Sequence, residues 1–113
     1  MKKQLIATVG ELQKHPSKKF VYENEGSEQE AFLIRFEEAY YAYDNVCPHQ
    51  HWNLDLGDNE FFAPDGKLLM CQVHAALFLP DSGKCYDGPC YDRDLRRLPL
   101  LIEEGKIFLQ LGA

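Results

Sequence analysis

Two short segments carry the residues with the most chemistry: Cys47-Pro48-His49 and Cys71-Gln72-Val73-His74. Each supplies one thiolate and one imidazole within a single turn of chain, so both side chains can converge on one point if the backbone folds back sharply. Pro48 stiffens the first of those turns by fixing its own φ. Two thiolates and two imidazoles suit a tetrahedral zinc ion. They also suit a dinuclear iron–sulfur centre with both thiolates on one iron and both imidazoles on the other. Structural zinc sites usually pair Cys with Cys and His with His along the chain. Here Cys and His alternate within each half, which favours the iron–sulfur centre: each loop gives one ligand to each iron.

The Cys-x-His, then Cys-x-x-His, pattern resembles that of the Rieske family. The resemblance extends to Lys84-Cys85-Tyr86-Asp87-Gly88-Pro89-Cys90, similar to the family's third cluster loop with its Gly-Pro. It extends also to Leu95-Arg96-Arg97-Leu98-Pro99-Leu100, similar to the Leu-x-x-Leu-Pro-Val segment that returns the chain to the base. It covers residues 44 to 112 and implies one [2Fe-2S] cluster on Cys47, His49, Cys71 and His74. The thiolate-bound iron is then expected to stay ferric while the histidine-bound iron cycles, because the added electron goes where negative charge is lower. The implied role is a soluble Rieske ferredoxin, an electron carrier and not itself an enzyme, between a reductase donor and an oxygenase or other oxidoreductase acceptor. Two alternatives stand beside it. One is a small Rieske-like subunit of a larger oxidoreductase such as nitrite reductase; the other is a zinc-stabilised interaction module.

Several positions depart from the family pattern. The gap from His49 to Cys71 is 21 residues, with Asp55 to Lys67 reading as an added surface loop, and such lengthening costs little entropy. His51 lies two residues past His49; the Cys-x-His spacing makes His49 the expected ligand and His51 a neighbour. High-potential relatives join their ligand loops by a disulfide at the positions of Trp52 and Val73 here. They also carry hydroxyl donors to the cluster sulfurs where this chain has Ala76 and Phe78. Without those donors the reduced cluster is less stabilised, and the midpoint is expected on the order of −150 mV. Cys85 and Cys90 are expected as thiols, given a cytoplasmic, reducing compartment. Trp52 reads as packing, Tyr40, Tyr41 and Tyr43 as a strand with one buried face, and His15 as an exposed turn residue.

The elements that must position these residues are short strands. Lys3 to Val9, Phe20 to Tyr22, Ala31 to Phe36, Tyr40 to Tyr43, Leu68 to Met70 and Leu77 to Leu79 have strand content, closed by turns such as Asp65-Gly66 and Asp81-Ser82-Gly83. A last hairpin is expected from Leu98 to Ile102 and Lys106 to Leu111 around Glu104-Gly105. Only Thr8 to Lys14 and Glu37 to Tyr41 could be helical, and both are short for helices. The expected fold is all-β: one domain over 1–113, with an antiparallel sandwich base from 1–43 and 95–113 and an inserted cluster-binding lobe from 44–94. At 113 residues, with 45% apolar and 27% charged, the chain has the composition of a single globular domain. A formal charge of −6 opposes nucleic acid and suits a basic redox partner. No apolar run is long enough for a membrane span. The chain has no room for the mononuclear-iron domain of an oxygenase.

Overall fold

The computed structural model describes residues 2–24, 26–45, 61–64, 66–71, 76–87 and 94–111. Their architecture is antiparallel sheet throughout, with one short helix. Strand β1 (Lys2–Thr8) runs into helix α1 (Val9–Lys14), followed by β2 (Ser17–Asn24), β3 (Ser27–Phe36) and β4 (Ala39–Asp44). Strands β5 (Leu69–Met70), β6 (Leu77–Phe78) and β7 (Cys85–Asp87) come from the middle of the chain, and β8 (Arg97–Leu98), β9 (Leu100–Glu103) and β10 (Lys106–Leu111) end it. They form three sheets, ordered β1-β10-β9, β2-β3-β4-β8 and β5-β6-β7.

The apolar run Ala31 to Ile34 explains how the sheets stack. All four residues are fully buried, which a strand with one solvated face cannot achieve because successive side chains point to opposite faces. Ala31 and Leu33 join Ile6, Leu12, Ala42, Ile107 and Leu109 in one core. Phe32 and Ile34 join Tyr43, Phe61, Leu69, Cys71, Ala76, Phe78 and Leu95 in another. The four-stranded sheet therefore has a core on each side, one shared with the β1-β10-β9 sheet and one with the β5-β6-β7 sheet. Tyr43 faces the second of these cores, where Phe32 also stacks on Phe61 with centroids 4.2 Å apart.

Of the two helix candidates, one forms. Thr8 caps α1: its hydroxyl accepts from the Glu11 amide at 3.3 Å, and the Glu11 carboxylate accepts from the Thr8 amide at 2.7 Å. This reciprocal pair lets one buried residue, Leu12, hold a six-residue helix in place. Glu37 and Glu38 instead take left-handed φ values of 51° and 65°, forming the two-residue turn that the Phe36–Ala39 pairing demands. The expected strand from Leu98 also divides. Pro99 cannot donate to a ladder, and across it the chain passes from β8, paired with β4, to β9, paired with β10.

Among the described residues, Gly83 is the one turn glycine pressed against a core. Its φ is +75°, and a Cβ there would lie 2.7 Å from Tyr43 Cε1 and 3.2 Å from the Leu95 carbonyl oxygen. Gly83→Ala combines left-handed strain with overpacking, roughly 2–4 kcal/mol together. A thermal melt should show Tm lower by about 10 °C or more; an unchanged Tm would contradict this packing.

Candidate metal centre

The second candidate segment begins at Cys71, where a described hairpin closes. β5 and β6 pair Leu69 with Phe78 and Met70 with Leu77. One residue further, the Cys71 amide donates to the Ala76 carbonyl at 2.9 Å, leaving 72–75 as the connection. On its other side β5 is braced by an upstream segment: Met70 N–H donates to Phe61 O at 2.9 Å, and Ala63 N–H to Leu68 O at 2.7 Å. Cys71 is thus held by a backbone pair, with its side chain fully buried among aromatic and aliphatic groups.

The root of the first segment is anchored by polar contacts. The Asn45 amide donates to Glu30 O at 3.0 Å, and its side-chain nitrogen donates to Glu30 Oε1 at 2.7 Å. Asp44 N–H donates to Arg96 O at 3.0 Å, the Tyr22 hydroxyl donates to Asp44 Oδ1 at 2.5 Å, and Arg96 Nε lies 3.6 Å from Asp44 Oδ2. The chain leaving β4 is therefore tied to the chain re-entering β8. Below the third segment, Cys85 N–H donates to Asp94 Oδ1 at 3.0 Å and Leu95 N–H to Gly83 O at 2.8 Å. Tyr43 OH donates to Pro80 O at 2.6 Å. Tyr43, Cys71, Ala76 and Leu95 all belong to one core, so the roots of all three segments meet there.

Burial, reinforced by the Asp44 carboxylate, pushes the Tyr22 hydroxyl up to about 12, with Arg96 pulling weakly the other way. A value above the unfolded one gives stability that is complete below about pH 10 and is lost as pH rises towards 12. Tyr22→Phe should destabilise the protein at pH 8 by about 1–3 kcal/mol, since it removes a donor from a largely buried carboxylate. Urea denaturation should show the gap between wild type and variant narrowing at pH 11. An equal gap at both pH values would refute this account.

Of the expected site residues, Cys71, Ala76 and Phe78 are described, and all three are fully buried in one core. Cys47, His49 and His74 lie outside the described residues, as do His51, Trp52, Val73 and Cys90. The donor chemistry at Cys71 fits a metal centre. It keeps its thiol, and a thiolate placed in so apolar a core gains from coordination what it loses in hydration. Cys85 corrects an expectation: it is disulfide-bonded, with its partner outside the described residues. An argument from compartment averages over thiols, whereas bridging follows from where a strand places one Cβ relative to another. β7, which carries Cys85, is also more regular than the loop read there; its pairing with β6 shifts register between Leu77 and Phe78. The clasp of Tyr22, Asp44 and Arg96 was missed, because Asp44-Asn45 reads as a simple strand-closing turn.

Three antiparallel sheets and one short helix, among the described residues, define a small all-β domain. Residues 2–102 match the Rieske [2Fe-2S] domain family. The chain is 31% identical over 84 residues to the ferredoxin component of the alkene monooxygenase system of Xanthobacter autotrophicus, a match spanning 73% of this chain and 62% of that relative. Its fold superimposes on the ferredoxin of carbazole 1,9a-dioxygenase from Nocardioides aromaticivorans IC177 with a TM-score of 0.73 at 22% identity, covering 96% of this chain and 97% of the other. It also superimposes on a chain described as an NADH-dependent nitrite reductase small subunit from Mycobacterium tuberculosis, with a TM-score of 0.69 at 16% identity over 99% and 97% of the two chains. The chain belongs to the Rieske [2Fe-2S] domain family, and that membership implies one [2Fe-2S] cluster.

Proposed function

We propose that this chain is a low-potential Rieske ferredoxin that takes single electrons from a reductase and passes them to an oxygenase or a related oxidoreductase. Its cluster would be held by Cys47, His49, Cys71 and His74. The observation that carries the reading is the Cys71–Ala76 hairpin closure. It supports the reading because a thiol of ligand type, three residues before His74 in sequence, is held there by backbone pairing, in a chain similar to a monooxygenase ferredoxin component. When bound, the cluster supplies one reversible electron. The protein's own residues position and insulate it: Phe61, Phe78 and Ala76 exclude water beside Cys71, while the Asp44–Arg96 and Asn45–Glu30 contacts fix the root of the first ligand loop.

The sheet β5-β6-β7 with residues 44–94 would act as the cluster lobe, and 1–43 with 95–113 as the base. A cytoplasmic location belongs to the same reading. Among the described residues no helix is long and apolar enough to cross a membrane; the Cys85 disulfide removes cysteine reduction as a support for it.

Anaerobically purified protein should be coloured, contain about two irons and two labile sulfides per chain, and give a low-average-g EPR signal on reduction. The reduced protein should lose that signal when mixed with an oxidised terminal oxygenase. A colourless protein holding one zinc per chain would replace this reading with the zinc module. A coloured protein that reoxidises only within a co-purifying reductase complex would make it a subunit.

A further inference from the structure

Beyond Ile34, β3 runs out of both cores, and the left-handed Glu37–Glu38 turn carries it over the segment that braces β5. This overhang encloses an open cavity of about 800 Å³, with His15, Arg35, Phe36, Glu37, Phe62 and Met70 among its lining. Its size falls within the range of small-molecule sites. No step of the proposed electron transfer uses these side chains.

The lining has a consistent chemistry. Phe36 and Phe62 stand with ring centroids 6.5 Å apart and planes 25° apart, and with Met70 they make an apolar wall. Arg35 is half-buried, and among the described residues its guanidinium forms no ion pair. A guanidinium partly withdrawn from water and lacking a carboxylate offers a planar, two-pronged donor to an incoming one. His15, whose Nδ1 lies 2.9 Å from Ser17 O, adds a second polar group. Glu37 also lines the cavity, and together with the net charge of −6 it disfavours ligands with more than one negative charge.

We propose that this cavity binds a small monocarboxylate with a flat apolar body, its carboxylate on Arg35 and its body against Phe36, Phe62 and Met70. The site is independent of the cluster reading, since none of these residues is a proposed ligand.

Calorimetric titration of the holoprotein with 1-naphthoate tests the proposal, with 1-naphthylmethanol and 1-naphthyl phosphate as comparisons. Binding at one naphthoate per chain is expected, with the alcohol at least tenfold weaker and the phosphate no tighter than the carboxylate. Arg35→Gln should weaken naphthoate at least tenfold, Arg35→Lys should fall between, and Glu37→Gln should tighten it about threefold. Absence of saturable binding, or wild-type affinity in Arg35→Gln, overturns the proposal; tighter phosphate binding overturns the ligand class. Folding of each variant is read by far-UV circular dichroism. If Arg35→Gln does not fold, Glu37→Gln decides: tightening supports the site, and unchanged affinity overturns it.

Discussion

Cys71→Ala is expected to give a folded, colourless protein. The expectation separates ligand loss from fold loss, because what holds the hairpin at this point is backbone. The residue-71 amide still donates to Ala76 O, and the Met70–Phe61 bond and the β5–β6 pairs remain. Removing one buried sulfur costs about 1 kcal/mol of packing. The base core, with Leu12, Leu33, Ile107 and Leu109, does not include residue 71. Loss of one thiolate from a cluster that needs four protein ligands, in contrast, removes the centre. Visible absorbance, iron, labile sulfide and the reduced-state EPR signal should all fall below a tenth of wild type, while far-UV circular dichroism stays close to it. Cys85→Ser is the contrasting variant: the proposed ligand set does not include Cys85, so its loss should leave iron content unchanged. Retention of the wild-type visible spectrum in Cys71→Ala would remove Cys71 from the ligand set.

Much of the scaffold could be read along the chain because its signals are local. Strands β1 to β4 follow β-favouring runs closed by turn residues. Glu104-Gly105 forms the expected turn, with φ values of 50° and 76°. Thr8 to Lys14 is one of two short helix candidates, and among the described residues it alone forms, closed by the Thr8–Glu11 capping box. The misreadings arise where pairing partners are distant in sequence. Glu37-Glu38 has the composition of a helix start, yet the ten-residue β3 and its pairing to β4 impose a turn that glycine or asparagine would fill more readily. Pro99 marks a break after Leu98, but nothing local announces that β8 will pair with Ala42 and Tyr43. The site divides in the same way. Cys71 stands out by type and spacing, whereas Tyr22 and Arg96 matter only because β2 and the chain entering β8 bring them to Asp44 from 22 residues before it and from far beyond it.

The burial of Ala31 to Ile34 on both faces links this scaffold to the function proposed. A central sheet that serves two cores lets the β5-β6-β7 sheet share Phe32, Ile34 and Tyr43 with strands that also hold the base. The loop roots are then fixed by packing that does not depend on the loops themselves. An electron carrier gains from such rigidity, since less rearrangement accompanies each change of charge at its centre. Gly83 belongs to the same arrangement: it lets the β6–β7 turn press against Tyr43, whose hydroxyl is tied to Pro80.

Ala76→Ser is expected to raise the midpoint potential, from a wild-type value on the order of −150 mV. Residue 76 is the hairpin partner of Cys71, its carbonyl accepting the Cys71 amide at 2.9 Å, so a hydroxyl on its Cβ is introduced beside the proposed thiolate ligand. Both positions are fully buried, which excludes water as a competing partner and raises the worth of a donor to sulfur. The reduced cluster carries one more negative charge and gains more from that donor than the oxidised one. If the difference is about 1 kcal/mol, the potential rises on the order of 40 mV for one electron. Phe78→Tyr has the same direction with a larger structural risk. Phe78 is fully buried and paired with Leu69 and Cys85, so a hydroxyl that finds no acceptor costs about 1–3 kcal/mol. Potentiometric titration followed by circular dichroism in the visible range reads both variants. A midpoint unchanged or lowered in Ala76→Ser would show that residue 76 does not face the cluster sulfurs. A wild-type midpoint well above zero would show that other groups supply the donors assigned here as missing.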